Sequence, residues 1–125
     1  MYLIRKYFTG LTEKQLQQVG ALQDLYAEWN QKINVISRKD MEHFYEHHVL
    51  HSLSIARQFE FPDGCHIMDL GTGGGFPGIP LAIFFPGAHF HLVDSIHKKV
   101  KVAQAIAEAI YVTNVSVEHA RAEEI

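Results

Sequence analysis

The chain has 125 residues, is 47% apolar and 20% charged, and carries a formal charge of −3 with a pI near 6.3. That composition fits one small globular domain or part of a larger one, and it excludes both a disordered chain and a molecule attractive to nucleic acid over its whole surface. The lone Cys65 cannot close an intrachain disulfide, the early stretch MYLIRKYFTGL is too short and charged for a signal segment, and no apolar run reaches the length of a membrane span, so a cytosolic address is expected.

The first predicted element is an amphipathic helix in LTEKQLQQVGALQDLYAEWNQ, where Leu16, Val19, Leu22, Leu25, Tyr26 and Trp29 recur at steps of three and four. Thr12 with Gln15 supplies a capping box. The period fails in KINVISRKDMEH, and Ser37 or Asp40 is placed to cap a second helix through FYEHHVLHSLSIARQF, with an apolar stripe from Phe44, Val49, Leu50, Leu53, Ile55 and Ala56 to Phe59. EFPDG ends it. Residues 1–63 thus read as a helical cap.

From residue 64 the character changes. CHIMDL reads as a short buried strand, a glycine loop follows, and IPLAIFF reads as a helix with Pro80 in its first turn, where a missing N–H costs nothing. HFHLVD alternates as a strand. SIHKKVKVAQAIAEAI is again an amphipathic helix, with Val100, Val102, Ala103, Ile106 and Ile110 toward a core, and NVSVEHA is a third strand. Strand, helix, strand, helix, strand is the order of an α/β fold with a parallel sheet, so residues 64–125 read as half of a doubly wound, Rossmann-like domain. The first strand is left with an unpaired side, an aggregation-prone arrangement, so a C-terminal continuation is expected.

DLGTGGGFPG, residues 69–78, sits on the first strand-to-helix junction, the carboxyl edge of the sheet where open α/β folds bind ligands. Gly71, Gly73 and Gly75 let backbone run against a ligand, and Gly73, Gly75 and Gly78 satisfy the dinucleotide pattern literally. Two features oppose a dinucleotide. Asp69 would repel a pyrophosphate but attract an ammonium, and Phe76-Pro77 fills the stretch a pyrophosphate needs. A ligand with a cationic amino-acid end and a nucleoside end, S-adenosylmethionine, fits better, with Asp94 accepting from ribose hydroxyls.

DLGTGGGFPGIPLAI, WNQKINVIS, FYEHHVLHSL, HLVDSIHKKVKV and ARAEE together resemble the RsmG (GidB) family of small-subunit (16S) ribosomal RNA guanine-N7 methyltransferases, from about Leu25 onward. The resemblance implies a class I Rossmann-like methyltransferase fold, with S-adenosylmethionine over Gly71, Gly73 and the Phe76 backbone, Asp94 near the ribose and Ala122-Glu123 beside the adenine. It implies small-subunit rRNA, naked or in the 30S particle, as partner and substrate. Members run on through a further strand-rich part with a serine-arginine-alanine segment not found in this sequence, and His47 stands where they commonly carry arginine.

Guanine N7 has a lone pair and no proton, so alignment and not a general base is the expected catalytic device, and no Ser-His-Asp or Cys-His array is evident. Phe76 is the candidate for holding the base. Arg38, Lys39, His47, His48 and the cluster Lys98-Lys99-Lys101 are the candidate RNA contacts. His43, His47 and His51 share the expected helix face with no completing ligand, so no metal is expected. Trp29, Asn30 and Asn34 are expected to lock the cap onto the sheet domain. The rival readings are a truncated, inactive paralogue acting as a binding or dimer module, and an NAD-dependent oxidoreductase.

Overall fold

Thr12 begins the first helix as the spacing requires: its side chain accepts from the Gln15 amide at 3.1 Å while Gln15 Oε1 accepts from the Thr12 amide at 2.8 Å. In the computed structural model, which describes residues 4, 6 and 8–124, this helix, α1, runs Glu13–Asn30 and buries Val19, Leu22 and Tyr26. Part of the stretch MYLIRKYFTGL and the outermost positions of both expected segments lie outside the described residues. Helix α2 follows at Arg38–Glu42, capped by the Ser37 hydroxyl on the Asp40 amide at 3.1 Å. The second expected helix is broken: Tyr45–Val49 forms a π turn before helix α3, Leu50–Gln58. Phe59, expected at the end of the apolar stripe, is extended and 57% exposed, because the helix has already ended.

Strands β1 (His66–Leu70), β2 (His89–Asp94) and β3 (Val115–His119) alternate with helices α4 (Gly78–Phe84) and α5 (His97–Ala109). The sheet is parallel in the order β1-β2-β3, with His66 opposite His89 and Phe90 opposite Val115. Parallel strands in that order, joined by crossovers of the usual right hand, put both connecting helices on one face. Accordingly Phe90 and Leu92 are fully buried toward the helices. The expectation of a buried first strand is corrected: Met68 and Leu70, on the opposite face, are 47% and 54% exposed, since no described layer covers that side. That face carries a polar ladder instead. His91 contacts the Ser116 hydroxyl at 2.6 Å and Glu118 at 2.7 Å, and His89 reaches Ser116 at 2.9 Å. Among the described residues β1 pairs with β2 alone, as the sequence led us to expect.

Cap and sheet share one hydrophobic core. Helix α1 is tied to the far ends of the sheet-domain helices by Gln15 Nε2 to the Ile83 carbonyl and Gln18 Nε2 to the Ile110 carbonyl, both at 3.0 Å. Asn30 does something other than expected. It accepts from the Val35 and Ile36 amides and donates to the Ile36 carbonyl, so it fastens the turn after α1 and not the sheet. At the opposite end of the sheet from the glycine turn, Asn114 Nδ2 lies 2.9–3.0 Å from the carbonyls of Ala82, Phe85 and Ala88.

The π turn aims two histidines at one carboxylate. Asp40 bonds His47 Nδ1 at 2.9 Å and stands 3.7 Å from His48 Nε2. The hydrogen bond from His47 draws the Asp40 carboxyl below its ordinary range. Burial holds His48 below its ordinary value of 6.5, against the opposing pull of Asp40. Since the unfolded chain then takes up this proton first, the folded state loses stability as pH falls from 6.5 through the lowered value. As pH is lowered from 6.5, melting temperature should therefore fall more steeply for the natural chain than for His48→Gln. Replacing Asn114 by alanine, which takes the side-chain donor away from the Ala82 and Ala88 carbonyls while Phe85 keeps the Ala88 amide, should cost about 1–3 kcal/mol in a denaturant titration.

Candidate functional site

β1 delivers Asp69 to the carboxyl edge of the sheet, and β2 ends one step further, at Asp94. The turn over residues 71–77 is strung between them. Asp69 Oδ2 accepts from the Thr72 hydroxyl at 2.7 Å and from the Gly78 amide at 3.0 Å. Asp94 is 9% exposed; its Oδ2 accepts from the Gly73 amide and its Oδ1 from the Ile96 amide, each at 2.8 Å. One carboxylate thus fixes both the glycine turn and the entry to α5. Burial raises the Asp69 carboxyl above its ordinary range, and the nearby charge of Asp94 adds to the rise.

Most of the turn's amides are committed. Gly71 and Thr72 donate to the Val93 carbonyl at 2.8 and 3.0 Å, and Gly75 and Phe76 donate to the Thr72 carbonyl at 3.1 and 3.0 Å. With Gly73 held by Asp94, a pyrophosphate would meet two carboxylates and few uncommitted N–H groups, the opposite of an anion cradle. An ammonium and hydroxyl groups, which donate, suit the same edge. The spare lone pairs of the two carboxylates are their acceptors.

The glycines divide into two kinds. Gly71 and Gly73 have φ of +72° and +61°, and a Cβ on either would meet nothing within 4 Å, so this side of the turn is bare backbone open to a ligand. Gly75, expected to join them, faces inward: a Cβ there would stand 2.5 Å from Ile79 Cδ1 and 2.8 Å from the Tyr26 hydroxyl. Gly78 likewise makes room for Leu92. The residues present therefore fit a ligand that approaches Gly71 and Gly73 from outside and offers hydrogen-bond donors to Asp69 and Asp94.

Phe76, half-buried, stacks within 4.8 Å of the Tyr26 ring and 4.9 Å of the His48 ring, with Phe44 5.9 Å away. The structure thus brings His48 beside Phe76, while His47 points to Asp40. The His48 Nε2 atom is buried without a hydrogen bond. Ala122 and Glu123 lie exposed in a short turn after β3, near the site through the Ala120 amide on the Asp94 carbonyl at 3.1 Å. Lys98 and Lys99 open α5 just beyond Asp94. Arg38 and Lys39 are exposed on α2, and Arg38 lines an open groove of about 710 Å³ with Asn30, Gln31, Asn34 and Ser37. Among the described residues no group of three or more His, Cys, Asp or Glu is placed to hold a metal ion, and no helix is long and apolar enough to cross a membrane.

Two residues at the site escaped the sequence reading. Thr72, 2% exposed, braces Asp69, and only its position three residues after a carboxylate hinted at such a bond. Tyr26 looked like one more apolar stripe residue, yet its hydroxyl donates to the Gly74 carbonyl at 2.7 Å. The available signal was that a buried phenol needs an acceptor.

Comparison with known proteins bears on the family and the fold. A family model described as GidB, rRNA small subunit methyltransferase G, matches residues 15–125. The ribosomal RNA small subunit methyltransferase G of Bacteroides thetaiotaomicron is 65% identical over 124 residues, covering 99% of this chain and 60% of that protein. The protein of the same name from Cytophaga hutchinsonii is 54% identical over 125 residues, covering 100% and 60%. The chain thus spans about 60% of the length of these curated relatives. The N-terminal domain of EvdMO1, solved with SAH bound, matches with a TM-score of 0.57 at 18% identity, over 94% of this chain and 50% of that one. Coclaurine N-methyltransferase, solved with N-methylheliamine and SAH, matches with a TM-score of 0.56 at 15% identity, over 94% and 41%. Likeness at such identities speaks for the fold alone, here that of class I methyltransferases, whereas the match over residues 15–125 and the sequence identities go further: the chain belongs to the GidB family, rRNA small subunit methyltransferase G.

Proposed function

We propose that this chain serves S-adenosylmethionine-dependent methylation of guanine N7 in small-subunit (16S) ribosomal RNA, as free RNA or within the 30S particle, in the cytoplasm. The observation that carries the reading is the bare backbone at Gly71 and Gly73 between two carboxylates, in a turn most of whose amides are already committed. On this reading residues 1–63 act as a cap and residues 64–125 as the N-terminal half of the cofactor domain. Asp69 receives the ammonium, Asp94 the ribose hydroxyls, the Phe76 backbone lies along the ligand, and Ala122 and Glu123 flank the adenine. Gly75 contributes by allowing the turn its shape and not by contact. The names of the relatives and the SAH in the two matched structures support the same cofactor.

When bound, the cofactor supplies a methyl group on a sulfonium. The attacking N7 already has its lone pair, so the protein's task is to align the reactants, an effect worth up to about 7–11 kcal/mol in favourable systems. In duplex RNA that base edge lies in a deep, narrow groove, so the guanine must be unstacked or single-stranded. Phe76, with His48 packed against it, offers an aromatic surface for the displaced base. Arg38 and Lys39 in the cap and Lys98 and Lys99 at the start of α5 are suited to phosphates, and His47 to the same backbone. The oxidoreductase reading loses its footing, because a pyrophosphate would find few uncommitted amides and no favourable charge at this turn.

Calorimetry with S-adenosylhomocysteine and with NAD tests the cofactor: heat with the first and none with the second is expected, and the reverse would refute the reading. Asp69→Asn keeps an acceptor for the Gly78 amide but removes the charge, and should weaken binding of S-adenosylhomocysteine by about tenfold or more. Gly73→Val places a β-branched side chain in the open space and in a backbone region it disfavours, and should abolish binding while circular dichroism stays helical. Transfer of labelled methyl to small subunits from undermethylated cells tests the substrate.

A further inference from the structure

The cap reaches the glycine turn through a buried hydrogen bond. Tyr26 is fully buried in α1, and its hydroxyl donates to the Gly74 carbonyl at 2.7 Å. Burial pushes the phenol far above its ordinary range, so it is always a donor. The space around this bond is closed: a Cβ on Gly74 would lie 3.1 Å from Val35 Cβ, and one on Gly75 would lie 2.8 Å from the Tyr26 oxygen. Val35 is itself held by Asn30, whose Oδ1 accepts from its amide at 2.8 Å. Gly73, the neighbour of Gly74, turns outward with φ of +61° and is held from the other side by Asp94. The turn is therefore gripped at consecutive residues, Asp94 on Gly73 and the cap on Gly74.

We propose that Tyr26 is a positioning residue for the cofactor: its hydroxyl, acting through the Gly74 carbonyl, holds the turn in the shape that presents Gly71 and Gly73 to the ligand. The inference rests on the cofactor reading above and assigns part of that binding to the helical cap. The chemistry requires the hydroxyl and not the ring. Phe76 and Phe44 pack on the ring, 4.8 and 5.5 Å away, and would pack as well on phenylalanine.

Tyr26→Phe isolates the hydroxyl. Tyr45→Phe is the control for a generic loss of stability, because the Tyr45 hydroxyl also bonds cap carbonyls, those of Val19 and Gly20 at 3.0 and 3.1 Å, away from the turn. The measurements are calorimetric titration with S-adenosylhomocysteine, melting temperature, and amide hydrogen exchange at residues 72–76 compared with Phe90 in β2. Tyr26→Phe should weaken binding by about tenfold and speed exchange at residues 72–76 more than at Phe90. Tyr45→Phe should lower the melting temperature while leaving affinity within about twofold. Unchanged affinity in Tyr26→Phe, or equal weakening in both variants in step with their melting temperatures, overturns the positioning role. A natural chain that binds no S-adenosylhomocysteine overturns the cofactor reading and the inference with it; binding that is indifferent to Tyr26→Phe overturns the inference alone.

Discussion

The carboxylate of Asp94 holds three pieces of chain in one place. It stands at the end of β2, takes the Gly73 amide from the turn after β1, and takes the Ile96 amide from the start of α5. Burying a charge costs free energy unless hydrogen bonds answer it, and these two backbone donors do so. The arrangement also consumes a turn amide that would otherwise be free to cradle an anion. Structure and ligand preference therefore share one cause: the bond that shapes the turn is the bond that turns it away from phosphates.

Much of the fold was legible because it follows from period and punctuation. The three-and-four spacing of Val19, Leu22 and Tyr26, the capping pair Thr12 and Gln15, and the alternation in HFHLVD each report local geometry, and each element formed. What was illegible depended on partners distant in sequence. The π turn at Tyr45–Val49 inserts where the apolar stripe looked continuous, and it leaves His43 and His47 ring to ring while giving Asp40 both His47 and His48. Met68 and Leu70 read as core residues because composition cannot say which face of a strand a second layer will cover.

The candidate site shows the same division. Asp69, Gly71, Gly73 and Asp94 could be named from motif order, since a strand-turn-helix junction puts them at the sheet edge. The different work of Gly73 and Gly75 could not. Both are glycines with positive φ in one turn, yet one keeps space for a visitor and the other keeps space for Ile79 and Tyr26. The return of Ile79 from α4 and the position of α1, whose Tyr26 lies about fifty residues earlier in the chain, distinguish them. The cap is thus part of the turn's environment as much as the strands that carry it.

The pairing of His66 with His89 and of Phe90 with Val115 carries a kinetic corollary. No two neighbouring strands are close along the chain, so a hairpin cannot nucleate this sheet, and each ladder must wait until an intervening helix has closed a long loop. Newly made chains would spend that interval with His66, Met68 and Leu70 on a strand that has found no partner, a state open to self-association until β2 takes up one of its edges.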